Sequence, residues 1–235
     1  MLSWNLFHGR AKPDRRGGLL GQFAPAIAAI GWDVALLQEV PPWWPPLLAA
    51  PCGARWRAAP TSRNQLLAAR RAIAVRRPEL IRSNGGGANT ILVRSRAGVI
   101  AAHARRRLRL LPERRVMHAV LLADGAGDGW WIANVHAAAG PRARARADLE
   151  LAGVTLLRWS RGAPALLGGD CNVPDPAVAG FSDLGGRYID RFLAGPGLIA
   201  AGPPVVLERP GGLSDHQPVL IELSAVRAAR SRAAP

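Results

Sequence analysis

Cysteine is scarce: Cys52 and Cys171 are the two thiols in 235 residues. Two thiols make no disulfide framework, and their spacing is not that of a zinc site. The five histidines, His8, His103, His118, His136 and His216, are dispersed, which excludes a local Cys/His metal cluster. No apolar run reaches the length of a membrane-spanning helix, so no integral membrane segment is expected. Met1 leads directly into a strand-like pattern without the zones of a signal peptide, and the expected location is cytoplasmic. Carboxylates are also few: 16 Asp and Glu against 31 Lys and Arg, a net charge of +15.

Apolar residues make up 49 % of the chain, which excludes a disordered protein. The length allows one large domain or two small ones. The positive charge is carried nearly all by arginine. It has two readings: a solvated surface of an Arg- and Ala-biased sequence, or attraction to phosphate-rich partners. Arginines crowd at Arg105, Arg106, Arg107, Arg109, Arg114 and Arg115, and again at Arg142, Arg144 and Arg146.

Residues 2–7 read as a strand, 19–30 as a helix ending at Gly31 and interrupted by Pro25, and 33–40 as a buried strand. This is a β-α-β unit, which favours parallel strands. A proline-rich loop with Trp43 and Trp44 follows; the tryptophans either stack on bases or pack against the loop. Further on, the pattern predicts a helix over 63–75 and strands over 80–82, 89–94 and 99–111. An antiparallel pair is expected over 116–122 and 130–135. A helix over 141–159 would bury Leu149, Val154, Leu156 and Leu157. Then come a strand at 165–167, a loop at 181–186, and strands at 187–193, 203–207 and 219–223. No repeat or long linker divides the chain. Residues 1–226 are expected as one domain and 227–235 as a flexible basic tail. Many strands with few helices argue for packed sheets flanked by helices.

The chain is organised around Leu166-Leu167-Gly168-Gly169-Asp170-Cys171-Asn172-Val173-Pro174. Two glycines let the backbone approach a ligand closely. Asp170 and Asn172 leave one face if the strand persists, offering a charged acceptor beside a neutral amide. The alternative is an Asx turn closing a buried strand. Polar residues recur at other strand ends: Asn5, Glu39, His136, Asp190, and Asp215 with His216. Each alone fits a turn, a cap or a buried ion pair. Together they mark the end of a sheet where ligands bind.

In chain order, Trp4-Asn5, Leu37-Gln38-Glu39, Asn134-Val135-His136, Gly169-Asp170-Cys171-Asn172, Ile189-Asp190-Arg191 and Ser214-Asp215-His216 resemble the motifs of the endonuclease/exonuclease/phosphatase superfamily, across residues 2–223. Cys171 stands where that family commonly has Phe. The resemblance implies an α/β fold, a four-layer α/β sandwich of two packed mixed β-sheets flanked by helices. It also implies hydrolysis of a phosphate ester with Mg²⁺ or Mn²⁺. By the same resemblance, Glu39, Asn5 and Asp215 hold the metal, Asp170 orients or deprotonates the attacking water, and Asn172 contacts phosphate. His216 is oriented by Asp190, and His136 contacts a phosphoryl oxygen or assists the leaving group. Arg115 matches a family phosphate contact and Asn89 a strand start with a structural role. His8, just past Asn5, either reaches the site or is a loop histidine without a role.

The charge favours nucleic acid as substrate of a phosphodiesterase, acting as a monomer. A phosphomonoesterase or a phospholipid-type phosphodiesterase is the alternative, with a small phosphate ester or a lipid headgroup as partner. A silent binding module is a third reading, against which the complete motif set argues.

Overall fold

The computed structural model describes residues 1–62, 64–123 and 129–225. Its strands are β1 (Leu2–Asn5), β2 (Val34–Val40), β3 (Ala54–Pro60), β4 (Ala88–Arg94), β5 (Val99–Arg109), β6 (Arg115–Ala123), β7 (Gly129–His136), β8 (Ala165–Asp170), β9 (Ser182–Arg187), β10 (Asp190–Ala194), β11 (Leu198–Ala200), β12 (Val205–Val206), β13 (Val219–Leu220) and β14 (Leu223–Ala225). The helices are α1 (Leu20–Ala29), α2 (Pro45–Ala49), α3 (Leu67–Arg76), α4 (Pro78–Ile81) and α5 (Arg142–Ser160). Two mixed sheets form, ordered β12-β13-β1-β2-β4-β3 and β5-β6-β7-β8-β10-β9, with β11 and β14 as a separate ribbon.

Alternation along the strands explains the layers, because successive side chains point to opposite faces. On β2, Ala35 and Leu37 pack with Phe23 and Ile27 of α1, while Val34 and Leu36 meet Ile132 and Leu166 of the other sheet. On β8, Ala165 and Leu167 pack with Leu149 and Leu156 of α5. Strands covered on both faces must be apolar on both, as these are. The order is therefore helix, sheet, sheet, helix: the four-layer sandwich.

The β-α-β unit is as expected, with β1 and β2 parallel from Leu2↔Ala35 to Asn5↔Gln38. Pro25 lies inside α1. Pro25 and Gly21 are both exposed, so the carbonyl that loses its N–H partner meets water. Other expectations are corrected. β3 was not legible, since Arg55, Trp56 and Arg57 give no apolar alternation. Residues 80–82 are helical. Residues 181–193 are not a loop and one strand but the hairpin β9–β10, turning at Tyr188 with φ 51°. Val154 is exposed, and Ala145, Ala152 and Gly153 take the buried face of α5. Trp44 is no stacking platform: it packs on Phe23 with ring centroids 5.5 Å apart, and Trp43 rests on the same cluster. The 227–235 tail and most of the 123–129 link lie outside the described residues.

A polar bridge crosses the inter-sheet core. Gln38 Nε2 donates to Asn134 Oδ1 at 2.8 Å, and Asn134 Nδ2 donates to the carbonyls of Leu37 and Thr90 at 2.9 Å each. Asn89 donates across the sheets to Val116 O at 2.8 Å, a structural role. All three amides are fully buried. Asn134→Leu strands two carbonyls and the Gln38 amide without partners. It should cost about 2–4 kcal/mol, read as a lower urea midpoint at unchanged slope.

Candidate active site

Parallel pairing brings the polar strand ends together. β1 with β2, and β7 with β8, are parallel pairs. The ends of the two sheets coincide, because Asn5 Nδ2 donates to Asp170 Oδ2 at 3.0 Å. Asn5, Glu39, His136 and Asp170 thus emerge at one carboxyl end, where open sheets bind ligands.

Glu39 arrives there through a bulge. The β2–β4 register slips between Leu37 and Val40, and Glu39 takes φ 50°. The slip turns Gln38 into the inter-sheet bridge and Glu39 toward the site. Its Oε2 lies 3.1 Å from His8 Nε2, and its Oε1 lies 3.8 Å from His136 Nε2. Of the two readings of His8, the structure takes the one that reaches the site. Its one signal is position: it follows Asn5 closely, in a strained left-handed conformation with φ 53°.

Asp170 is the centre. Strand register sets His136 beside it on β7 and Asp190 beside it on β10. Gly169 is required just before it: φ is 134°, and a Cβ there would collide with the Val135 carbonyl oxygen. The Asx turn and the site coexist, since Asn172 N donates to Asp170 Oδ1 at 3.0 Å. His136 Nε2 is 3.5 Å and His216 Nε2 3.9 Å from Asp170 Oδ2. His216 Nδ1 is 2.7 Å from Asp190 Oδ2. Ser214 fastens this last segment to β1: its Oγ donates to Asn5 O at 2.6 Å and accepts from His216 N at 3.0 Å. Asp215 sits at the rim, with Oδ1 4.0 Å from His216 Nε2. Asn172 Nδ2 donates to Ala137 O at 3.0 Å. All eight residues marked in the sequence thus join one network with links of 4.0 Å or less. Buried Arg115, paired with Glu113 at 2.8 Å, stands close enough for its charge to act on His136.

Burial, then the charge of Asp190, raises Asp170 to about 7, against the pull of His216, Asn5 and Asn172. Burial also raises Asp190, opposed by its hydrogen bond to His216. Burial by itself lowers His216, but the hydrogen bond and charge of Asp190, with Asp170 and Asp215, outweigh it and set His216 at about 9. Burial drives His136 well below its ordinary value, aided by the charges of Arg115, His8 and His216. Near neutrality, His216 is an imidazolium and His136 a neutral imidazole.

The donor set fits a hard divalent cation. Asp170, Asp190 and His216 offer ligand atoms all within 4.8 Å of one another, but protonated His216 has no lone pair to give, so the donors at this end of the sheets are oxygens, including the carboxylates of Glu39 and Asp215 and the amide of Asn5. Asp190 Oδ1 is buried without a partner among the described residues. Carboxylate and amide oxygens are the ligands Mg²⁺ and Mn²⁺ take.

A sequence model of the Endonuclease/Exonuclease/phosphatase family matches residues 2–216. Among curated proteins, none matches the chain. Solved structures that share its fold include the following three. A functionally unknown conserved protein from Enterococcus faecalis V583 is 16 % identical, with TM-score 0.72 over 96 % of this chain and 100 % of that one. Mannosyl-6-phosphatase Bt3783 from Bacteroides thetaiotaomicron VPI-5482 is 17 % identical, with TM-score 0.68 over 95 % and 98 %. The human Nocturnin catalytic domain with bound sulfate anion is 17 % identical, with TM-score 0.70 over 96 % and 93 %.

Proposed function

Because the chain belongs to the Endonuclease/Exonuclease/phosphatase family, we propose that it is a phosphodiesterase dependent on a divalent metal, with nucleic acid as its favoured substrate. The observation that carries this reading is the network around Asp170, assembled from six separate segments at one end of both sheets. In-line attack on a phosphodiester needs an activated water, neutralised nonbridging oxygens and help for the departing alkoxide.

Asp170, buried and set at about 7, orients the attacking water and takes its proton. His216, held protonated by Asp190, faces the developing charge on the phosphoryl group. Neutral His136 assists the leaving oxygen. Asn172 has one amide hydrogen committed to Ala137 O, leaving the other for a phosphate oxygen. Glu39, Asn5 and Asp215 would hold Mg²⁺ or Mn²⁺. Such an ion acts as a Lewis acid on the phosphoryl oxygen and acidifies a bound water.

A second reading, a phospholipid-type phosphodiesterase, is favoured by one observation. Leu66, Leu80, Leu110 and Leu111 are all more than half exposed, on the β3–β4 and β5–β6 connections near the site. The fold shared with a mannosyl-6-phosphatase supports a phosphomonoester variant of the same chemistry.

The test is hydrolysis, with and without Mg²⁺, of single- and double-stranded DNA, abasic-site DNA, RNA, a phosphomonoester and sphingomyelin. Nucleic-acid cleavage that falls steeply with salt is the expected result. Activity confined to the monoester or lipid replaces the substrate; activity nowhere returns the binding module. Glu39→Gln should reduce Mg²⁺-stimulated hydrolysis by roughly 10²-fold or more and remove the rise in Tm on adding Mg²⁺. Unchanged Mg²⁺ stimulation in that variant overturns the metal assignment.

A further inference from the structure

β3 and β5 are edge strands, one in each sheet. Between them lies a groove of about 650 Å³ lined by Arg55, Trp56, Arg57, His103 and Arg105. Register gives the directions of its walls. Arg55 and Arg57 pair with Val93 and Ile91, which face the inter-sheet core. His103 pairs with Val120, which faces the same core; Arg105 and Arg107 lie two and four residues further along the same face. Two rows of cations therefore confront each other at the open flank of the sandwich.

The groove holds no acidic residue. Arg10, Arg96, Arg109, Arg115, Arg146 and Arg191 pair with carboxylates, and none of them lines this groove. Facing like charges repel, and a polyanion relieves the repulsion. The floor is built rather than loose. His103 Nε2 is 3.1 Å from Nδ1 of His118, which is fully buried and has no partner at Nε2 among the described residues. Burial, with Arg105 and Arg57, lowers the pKa of His103. Trp56 pairs with Leu92 of the helix-side core, so its side chain leaves the opposite face of β3 and the groove is polar and cationic.

We infer that this groove is a second subsite holding the sugar–phosphate backbone of a single nucleic-acid strand on its way to the active site, an inference that rests on the nucleic-acid reading above. A volume of about 650 Å³ takes a short stretch of one strand and not a base-paired duplex. Arg55, Arg57 and Arg105 contact phosphates. The path continues toward the catalytic end. Arg107 pairs with Val116, next to Arg115. Arg114 donates to Pro60 O and Thr61 O at the end of β3. Pro60 pairs with Ala88, which pairs with Val40 beside Glu39.

The experiment measures fluorescence anisotropy of labelled oligothymidylates, about 4 and about 20 nucleotides long, across a salt series in EDTA so that nothing is cleaved. The wild type should bind the longer strand more tightly than the shorter. The double variant Arg57→Gln/Arg105→Gln should bind the longer strand about tenfold or more weakly, with a salt slope smaller by roughly 1.4 and little change for the shorter one. Trp56→Ala, on the opposite face of β3, should leave binding of both strands unchanged, which ties the effect to the arginines of the groove. Hydrolysis of bis(p-nitrophenyl) phosphate should stay at the wild-type rate in all these variants, which keeps a failure of the groove distinct from a failure of the phosphoesterase reading. Equal affinity of wild type and double variant for the longer strand overturns the subsite. So does loss, in the double variant, of binding to phosphatidylserine vesicles when the wild type binds no oligonucleotide; the groove is then a membrane contact.

Discussion

Asp170→Asn should lower kcat/KM for a phosphodiester by roughly 10³-fold or more, the range expected when a general base is removed along with its charge. The amide keeps the shape of the carboxylate. Asn5 Nδ2 and Asn172 N donate to different oxygens of Asp170, each at 3.0 Å, so the single amide oxygen keeps one of these bonds and loses the other. What disappears is the negative charge between His136 and His216 and the ability to take a proton. Stability should change far less. Asp170 is buried beside Asp190, and both carboxyls are raised by burial. A neutral amide removes that like-charge pairing, which offsets the one hydrogen bond it loses, so the metal-free variant should be about as stable as the wild type at pH 8. Steady-state kinetics on a chromogenic diester, beside urea unfolding in EDTA, measure both effects. A variant that retains activity removes Asp170 from the chemistry. One that is inactive and also strongly destabilised makes it a structural carboxylate.

Asp190→Asn should be the next most damaging change, costing roughly 10²–10³-fold in kcat, because His216 then loses the partner that fixes its tautomer and its charge. Its pH signature is specific. His216 stands at about 9 in the folded protein against an ordinary 6.5. A raised folded pKa means the native state holds the proton more tightly. The stabilisation is complete below pH 6.5 and is lost as pH rises through 9. Asp170, raised from 3.8 to about 7, acts with the same sign over a lower window. His136 has the opposite sign: its native pKa is depressed, so its contribution grows as pH rises toward 6.5 and is complete above it. Between pH 7 and 9 the metal-free wild type should therefore lose stability, by up to about 3 kcal/mol from His216. In Asp190→Asn that slope should flatten. Unfolding free energies at pH 7, 8 and 9 decide it; an equal slope in both proteins removes Asp190 as the cause of the raised pKa.

The layers were legible because a covered strand must be apolar on both faces, and the runs at 34–37 and 165–167 are. β3 was not, because an exposed edge strand needs no such pattern and is held by its pairing with β4. The hairpin at 182–194 was hidden for a related reason: Gly185, Gly186 and Tyr188 give a turn-like composition, and the pairing of β9 with β10 imposes the strand. Trp44 reads equally as a stacking residue or a core residue until Phe23 is placed against it.

The sequence by itself determined the chemistry of the candidate site: which carboxylates, amides and histidines stand at strand ends, and in what order along the chain. That information is local, because a polar residue closing an apolar run is visible wherever the run folds. Only the tertiary structure decided the partnerships. His8 joins Glu39 because a bulge of β2 turns that carboxylate outward. Asp190 holds His216 from 26 residues away. Arg55 and Arg57 come to face Arg105 because two edge strands, neither rich in apolar residues, close opposite sides of one opening. Such pairings depend on strand register and sheet packing, which are set by the whole core and by no single stretch of chain.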